Sequence, residues 1–239
     1  MTTDVRILIV DQCSASKSVP GSTPTIDLEQ DGPAPAEILE ETDADGIPAR
    51  ELYAGTQQRR ITDAVRALRQ NGHDVERLFI SAGFGLVGET DELPPYDATF
   101  SGTSTETIEQ RSKELGITAA LVERLDTAAS FDVVFLPLGA DYYTALDLNR
   151  VYAAVAEHTV VVVFNREEDR NREGVISIPA RTEEAKAHGV TVIELKGTYL
   201  SLFASRLGDR DGPLDEEAIE TLCCEGEGRQ SSLDDLGTL

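Results

Sequence analysis

The sequence predicts an α/β protein: a single domain on a mainly parallel open sheet with helices on both faces, carrying an acidic N-terminal excursion. Three observations lead to that class. Short branched apolar runs alternate with longer amphipathic stretches along most of the chain. The runs "FDVVFLPLG" and "TVVVVFN" are continuously apolar, as strands covered on both faces should be. A length of 239 residues suffices for one such domain and its core.

The elements follow in order. "VRILIV" is short, branched and bounded by polar residues, so it reads as the first, buried strand. Residues 18–50 are rich in Pro, Gly, Asp and Glu and read as a surface excursion. A helix follows in "ELYAGTQQRRITDAVRALRQNGHDV": Ile61, Val65 and Leu68 share a face, and Asn71-Gly72 stops it. "VERLFISA" is the second strand. "TSTETIEQRSKELGI" and "TAALVERLDTA" are helical, the first with a Ser/Thr-rich start and a Glu three residues on. "FDVVFLPLG" is the third strand, "DYYTALDLNRVYAAVAEH" one long helix, "TVVVVFN" the fourth strand and "GVISIPA" the fifth. "RTEEAKAHG" is a short helix, "VTVIEL" a sixth strand, and "TYLSLFASRLGD" and "DEEAIETLCCEG" are closing helices. Residues 1–208 thus form the α/β domain, and 209–239 a C-terminal helix and tail.

Composition constrains the environment more than the partner. The net charge is -23, and only Lys17, Lys113, Lys186 and Lys196 among the 21 basic residues are lysines. This pattern resembles proteins of salt-loving archaea. Carboxylates hold water and cations in strong salt, whereas lysine stems expose apolar surface that salt drives together. At roughly 1 M salt the Debye length is about 3 Å, so self-repulsion is screened. The acidity argues against binding nucleic acid through phosphates alone. Cys13, Cys223 and Cys224 show neither a disulfide framework nor zinc-like spacing. The N-terminal apolar run is too short for a signal segment or a membrane span, so the expected location is the cytoplasm, with no membrane partner.

In open parallel sheets, ligands bind beyond the carboxyl ends of the strands. Four loops occupy those ends: "DQCSASK" with Asp11, Gln12, Cys13, Ser14, Ser16 and Lys17; "SAGFG…PPYD"; "LGADYY" with Gly139, Asp141, Tyr142 and Tyr143; and "NREEDRNRE". Gly55 stands at the start of the first long helix. Ser81, Gly83 and Gly85 form either a tight bend or a close approach to a ligand; they match neither GxGxxG nor a P-loop. Pro94 and Pro95 lock the backbone that presents Tyr96 and Asp97, as a rigid turn or as a ligand-facing loop. Asp97 would then cap the residues after it. Asp141 reads most simply as a helix N-cap. Cys13 lacks a nearby histidine for activation. Lys17 is either solvated or an anion anchor. Arg166, Arg170 and Arg172 alternate with acids and read as an ion-paired loop.

The order "SASK", "LYAGTQ", "SAGFGL…PPYD", "LGADYY" resembles the YaaA-like proteins, the peroxide-stress group, and more closely a smaller prokaryotic branch of them. The likeness runs from about residue 5 to 145. It departs from the pattern at Ala15-Ser16, where a proline precedes the alanine in the family, and in its acidity. The resemblance implies a cleft lined by Lys17, Gly55, Ser81, Gly83, Gly85, Tyr96, Asp97, Asp141 and Tyr143, with Ser16 beside Lys17. The expected ligand is a nucleobase, nucleotide or nucleic acid. In one reading Tyr96 stacks on a base, and Asp97, Asp141 and Lys17 act at an N-glycosidic bond. In the other, the protein binds nucleic acid or a metabolite in the stress response without catalysis.

Overall fold

The computed structural model describes residues 4–14, 17, 35–42, 45–127, 130–208 and 214–224. The chain runs β1 (Arg6–Gln12), α1 (Pro35–Thr42), β2 (Ile47–Pro48), α2 (Ala49–Leu52), α3 (Thr56–Gln70), β3 (Asp74–Ser81), β4 (Gly85–Gly88), β5 (Glu92–Leu93), α4 (Thr105–Glu114), α5 (Ile117–Thr127), β6 (Val133–Phe135), α6 (Ala140–Thr144), α7 (Leu148–Ala154), β7 (Val160–Phe164), a single 3-10 turn at Glu167–Asp169, β8 (Val175–Ile178), α8 (Thr182–Ala187), α9 (Val192–Leu207) and α10 (Glu216–Cys224).

The main sheet has six strands in the order β4-β3-β1-β6-β7-β8. β1 pairs in parallel with both β3 and β6, β6 with β7, and β7 with β8; β4 alone is antiparallel. From β1 the chain steps outward to β3 on one side, then returns to lay β6, β7 and β8 on the other. The order therefore reverses between β1 and β6.

Alternation along the strands assigns the two faces. Ile7 and Ile9 join Val133, Phe135, Val162 and Phe164 under α3, α9 and α10. Leu8 and Val10 join Val134, Leu136, Val161 and Val163 under α4, α5, α6 and α7. Both faces are covered, which is why β1, β6 and β7 read as unbroken apolar runs. Ile219, Leu222 and Cys223 of α10 are buried in the same core as α9. Within the N-terminal excursion, residues 35–42 are helical and Ile38 is 4% exposed. Residues 18–34 lie outside the described residues.

Three expectations give way. "VTVIEL" is the beginning of α9, not a sixth strand. Its β-branched run suggests a strand, but the Glu194 carboxylate accepts from the Thr191 backbone N–H at 3.0 Å and from its hydroxyl at 2.8 Å, fixing a helix start. The long helix after β6 is two helices, α6 and α7. The Ser112 hydroxyl captures the Ala145 carbonyl, and Asp147 caps α7 by accepting from Arg150 N at 3.3 Å. The glycine-rich stretch after β3 turns back as β4, giving the parallel sheet an antiparallel edge.

Candidate functional site

Strand order reverses between β1 and β6, and beyond the ends of such strands is where a doubly wound sheet receives a ligand. The loop leaving β6 is held there peptide by peptide. Leu136 O accepts from the Tyr143 hydroxyl at 2.6 Å, and Pro137 O from Gln57 Nε2 at 2.8 Å. Leu138 O accepts from Lys196 Nζ, and Gly139 N donates to Gln12 Oε1 at 2.5 Å. These side chains come from α6, α3, α9 and β1, so four elements fix one four-residue loop.

Under that loop lies a buried ion pair. Asp11, at the end of β1, is 0% exposed and meets Arg77 of β3 at 2.7 Å. Its other oxygen, Oδ1, accepts from Gln12 N at 2.8 Å, Gln57 Nε2 at 3.2 Å and Gln58 Nε2 at 3.4 Å. Arg77 also donates to Thr62 Oγ1 at 2.8 Å and Gln58 O at 3.1 Å, and lies over the Phe79 ring at 4.5 Å. Both glutamines are on the first turn of α3, whose N-cap is Gly55. A Cβ on Gly55 would run into the Gln58 side-chain amide and lie 3.1 Å from the Ser14 Cβ, so the glycine lets α3 start against the β1 loop.

On the opposite face, a hydroxyl and thiol network fills the space below the same strand ends. The Tyr96 hydroxyl meets Tyr53 OH at 2.6 Å and Ser81 Oγ at 2.8 Å. The Cys13 thiol meets Tyr142 OH at 2.9 Å, and that hydroxyl meets Thr99 Oγ1 at 3.2 Å. Burial, and then the Cys13 sulfur, push the Tyr53, Tyr96 and Tyr142 phenols well above their ordinary range. They stay protonated, so each keeps an O–H to donate within the network and none is a base. Lys17 closes this network: Nζ donates to Ala98 O at 3.0 Å and sits 4.3 Å from the centre of the Tyr96 ring. Burial lowers its ammonium from 10.5, opposed by Cys13 and Asp97.

The residues singled out from sequence divide accordingly. Lys17, Ser81, Gly83 and Tyr96 come together, but Tyr96 is no open stacking platform. It is 1% exposed, with Lys17 over its face and Phe84 and Tyr53 packed edge-on. Ser81 closes the turn after β3 by accepting from Gly83 N at 3.2 Å and Phe84 N at 3.0 Å. Gly85 has φ +78, and a Cβ there would lie 2.9 Å from Leu115 O, so it serves the hairpin. Tyr143 is 4% exposed and ties β6 to β7, since its hydroxyl also accepts from Phe164 N at 2.9 Å. Asp141 is not the N-cap of α6; Gly139 holds that position, and Asp141 accepts from Gly102 N at 3.1 Å instead. Asp97 is exposed, and no helix follows it for it to cap. Ser16 lies outside the described residues. Arg166 pairs with Glu168 and Asp169, each at 3.0 Å, as its interleaved acids suggest.

Gln57, Gln58, Arg77 and Lys196 were not singled out as site residues, and Gln12 stood only among the residues of the first strand-end loop. Of the other four, only Lys196 carried a signal in sequence, as one of four lysines in an arginine-rich chain. Burial lowers its amine to about 8, partly offset by Asp11. Among the described residues no group of three or more His, Cys, Asp or Glu side chains gathers as a metal site, and no helix is long and apolar enough to cross a membrane. The chain matches no protein-family model, and no curated protein matches it.

Proposed function

We propose that this protein binds a nucleotide or a closely related metabolite in the crevice between the ends of β1 and β6. The observation that carries the reading is the bracing of residues 136–139 by side chains from four elements at the reversal of strand order. A loop fixed at each peptide is preorganised, and ordering costs that would otherwise be met on binding are already met in the fold. Doubly wound sheets of this order use that crevice for nucleotides.

Recognition without bond cleavage is the better-supported form of this reading. Asp141 is engaged by Gly102, Asp97 is exposed, and the Tyr96 ring is covered. Together they do not form the convergent acid–base set that cleavage of an N-glycosidic bond needs. Kinship with the YaaA-like proteins, and a part in a stress response, belong to the same proposal and rest on the four short segments quoted above.

Thermal unfolding in molar KCl, with nucleosides, 5′-nucleotides and short oligonucleotides, tests the reading. A ligand at about 100 times its Kd stabilises by about 2.7 kcal/mol. For a chain of this size that raises Tm by about 5–10 °C. The rise is expected with 5′-nucleotides and is expected to shrink in Gln12→Leu, which frees Gly139. A Tm unmoved by every nucleoside and nucleotide at millimolar concentration would sink the proposal.

A further inference from the structure

We propose that Lys196 is the anion anchor of the crevice between β1 and β6, taking a phosphate monoester on the ligand through its ammonium. This rests on the crevice reading above and adds the chemical group the ligand must carry there.

The argument begins with donors and acceptors. An ammonium has three N–H donors. Among the described residues, the only acceptor of Lys196 Nζ is the Leu138 carbonyl, in the braced loop itself. Asp11 attracts the amine but makes no hydrogen bond to it: its Oδ2 accepts from Arg77, and its Oδ1 from Gln12 N, Gln57 and Gln58. Asp11 already pairs with Arg77 at 2.7 Å, and Glu194 of the same helix pairs with Arg60 at 2.9 Å. Lys196 makes no ion pair among the described residues, and Asp11, the carboxylate that acts on it, is shared with Arg77.

Its position is built in. Gly197 lets α9 cross α3 so closely that a Cβ there would lie 2.7 Å from the Arg60 Cβ and 3.2 Å from Gln57 O. That crossing holds the lysine stem beside the first turn of α3 and aims the amine at the β6 loop. A buried cation whose counter-charge is shared with another cation is costly, and it either loses its proton or acquires an anion. The depressed amine, at about 8, is the first response in the free protein. A phosphate is the second: it restores the balance, and the amine then holds its proton more firmly. Binding above neutral pH consequently takes up a proton.

The test follows the amine directly. The full-length chain, labelled with 13C-lysine, has four lysines and so four resolvable ε-carbon signals. The Lys196 signal is identified by its loss in Lys196→Arg. Titrations with pH in molar KCl are made on the free protein, with orthophosphate, with AMP and with adenosine. Orthophosphate and AMP are expected to raise the Lys196 midpoint by roughly one to three pH units. Adenosine is expected to leave it unmoved, and so are Lys113 and Lys186 under every addition. Affinity for AMP should fall about tenfold per pH unit above the midpoint in the wild type, and much less in Lys196→Arg. A Lys196 midpoint unchanged by both orthophosphate and AMP overturns the anchor. If AMP meanwhile raises Tm, only the anchor falls and the nucleotide reading stands. If orthophosphate moves Lys196 and AMP binds no better than orthophosphate, the anchor stands and the nucleotide reading falls.

Discussion

At the scale of single residues, the Asp11–Arg77 pair decides how the strand ends sit. Both side chains are almost wholly removed from solvent, at 0% and 1% exposure, and they link β1 to β3 directly beneath the candidate crevice. Removing one partner leaves the other charge buried and unpaired, which costs about 3–5 kcal/mol. Asp11→Ala should therefore lower unfolding stability by about that amount, measured by urea denaturation in molar KCl. The paired change Asp11→Leu with Arg77→Met should recover most of the loss, because apolar replacement of a whole buried pair is often neutral. If the double variant is as unstable as Asp11→Ala, the pair matters for its geometry and hydrogen bonds and not for its charge balance. Asn165 shows local chemistry of a different kind. It has φ 57, and its side-chain amide brackets the Ala180 backbone at 2.7 Å and 3.1 Å, holding the ends of β7 and β8 together.

At the scale of elements, the contact between α3 and α9 governs placement of the crevice residues. Gln57 and Gln58 come from the first turn of α3 and Lys196 from the second turn of α9. Gly197 sits at the crossing, and a methyl group there meets the Arg60 Cβ and the Gln57 carbonyl instead of open space. Gly197→Ala gains helix propensity of about 1 kcal/mol. Overpacking costs about 1–3 kcal/mol, so the net change is expected to be destabilising. The expected signs are a lower urea midpoint and a weaker response to the ligand, because the helices that hold Gln57 and Lys196 must part. A more stable Gly197→Ala with unchanged binding would mean that the crossing yields easily. The sequence "VTVIEL" belongs to this scale too. Val192 and Ile193 are 44% and 68% exposed, so no sheet takes up this β-branched run, and the Thr191–Glu194 cap settles the local conformation.

At the scale of the whole molecule, the pH dependence of stability adds several burials whose signs can be worked out. His73 is buried; its Nδ1 accepts from Val5 N at 3.4 Å, and its Nε2 has no partner among the described residues. Burial lowers it from 6.5, opposed by Asp4. The unfolded chain then binds more protons below 6.5, so stability falls as pH falls through that window. Glu194 is lowered from 4.5 to about 2, first by the Thr191 hydrogen bonds and then by Arg60. It adds stability above 4.5 that is lost toward pH 2. At the alkaline end, the buried Tyr53, Tyr96, Tyr142 and Tyr143 keep protons that the unfolded chain releases near 10, so stability falls as pH rises past that value. Lys196 acts oppositely between about 8 and 10.5, where the folded amine is already neutral. Urea midpoints across pH should thus fall on both sides. His73→Phe should flatten the decline that begins just below 6.5; an identical slope in that variant would remove His73 from the account.

The fold class was determined by the sequence itself. Apolar runs covered on two faces, separated by helical stretches, leave a chain of this size little else than a mainly parallel sheet between helices. It also marked the strand ends as the place of the candidate site, and the turn around Ser81 and Gly85, because backbone conformation and close approach are local demands. The partners of those loops were not legible. Gln57 reaches Pro137 across 80 residues, Gln12 reaches Gly139 across 127, and Lys196 reaches Leu138 across 58. The same limit explains Tyr96 and Tyr143: a tyrosine near a cleft looks available in sequence, and only its neighbours decide whether the ring is covered. Local propensity follows from neighbours along the chain, whereas charge balance, burial and the bracing of a loop depend on which distant residues the folded sheet brings together.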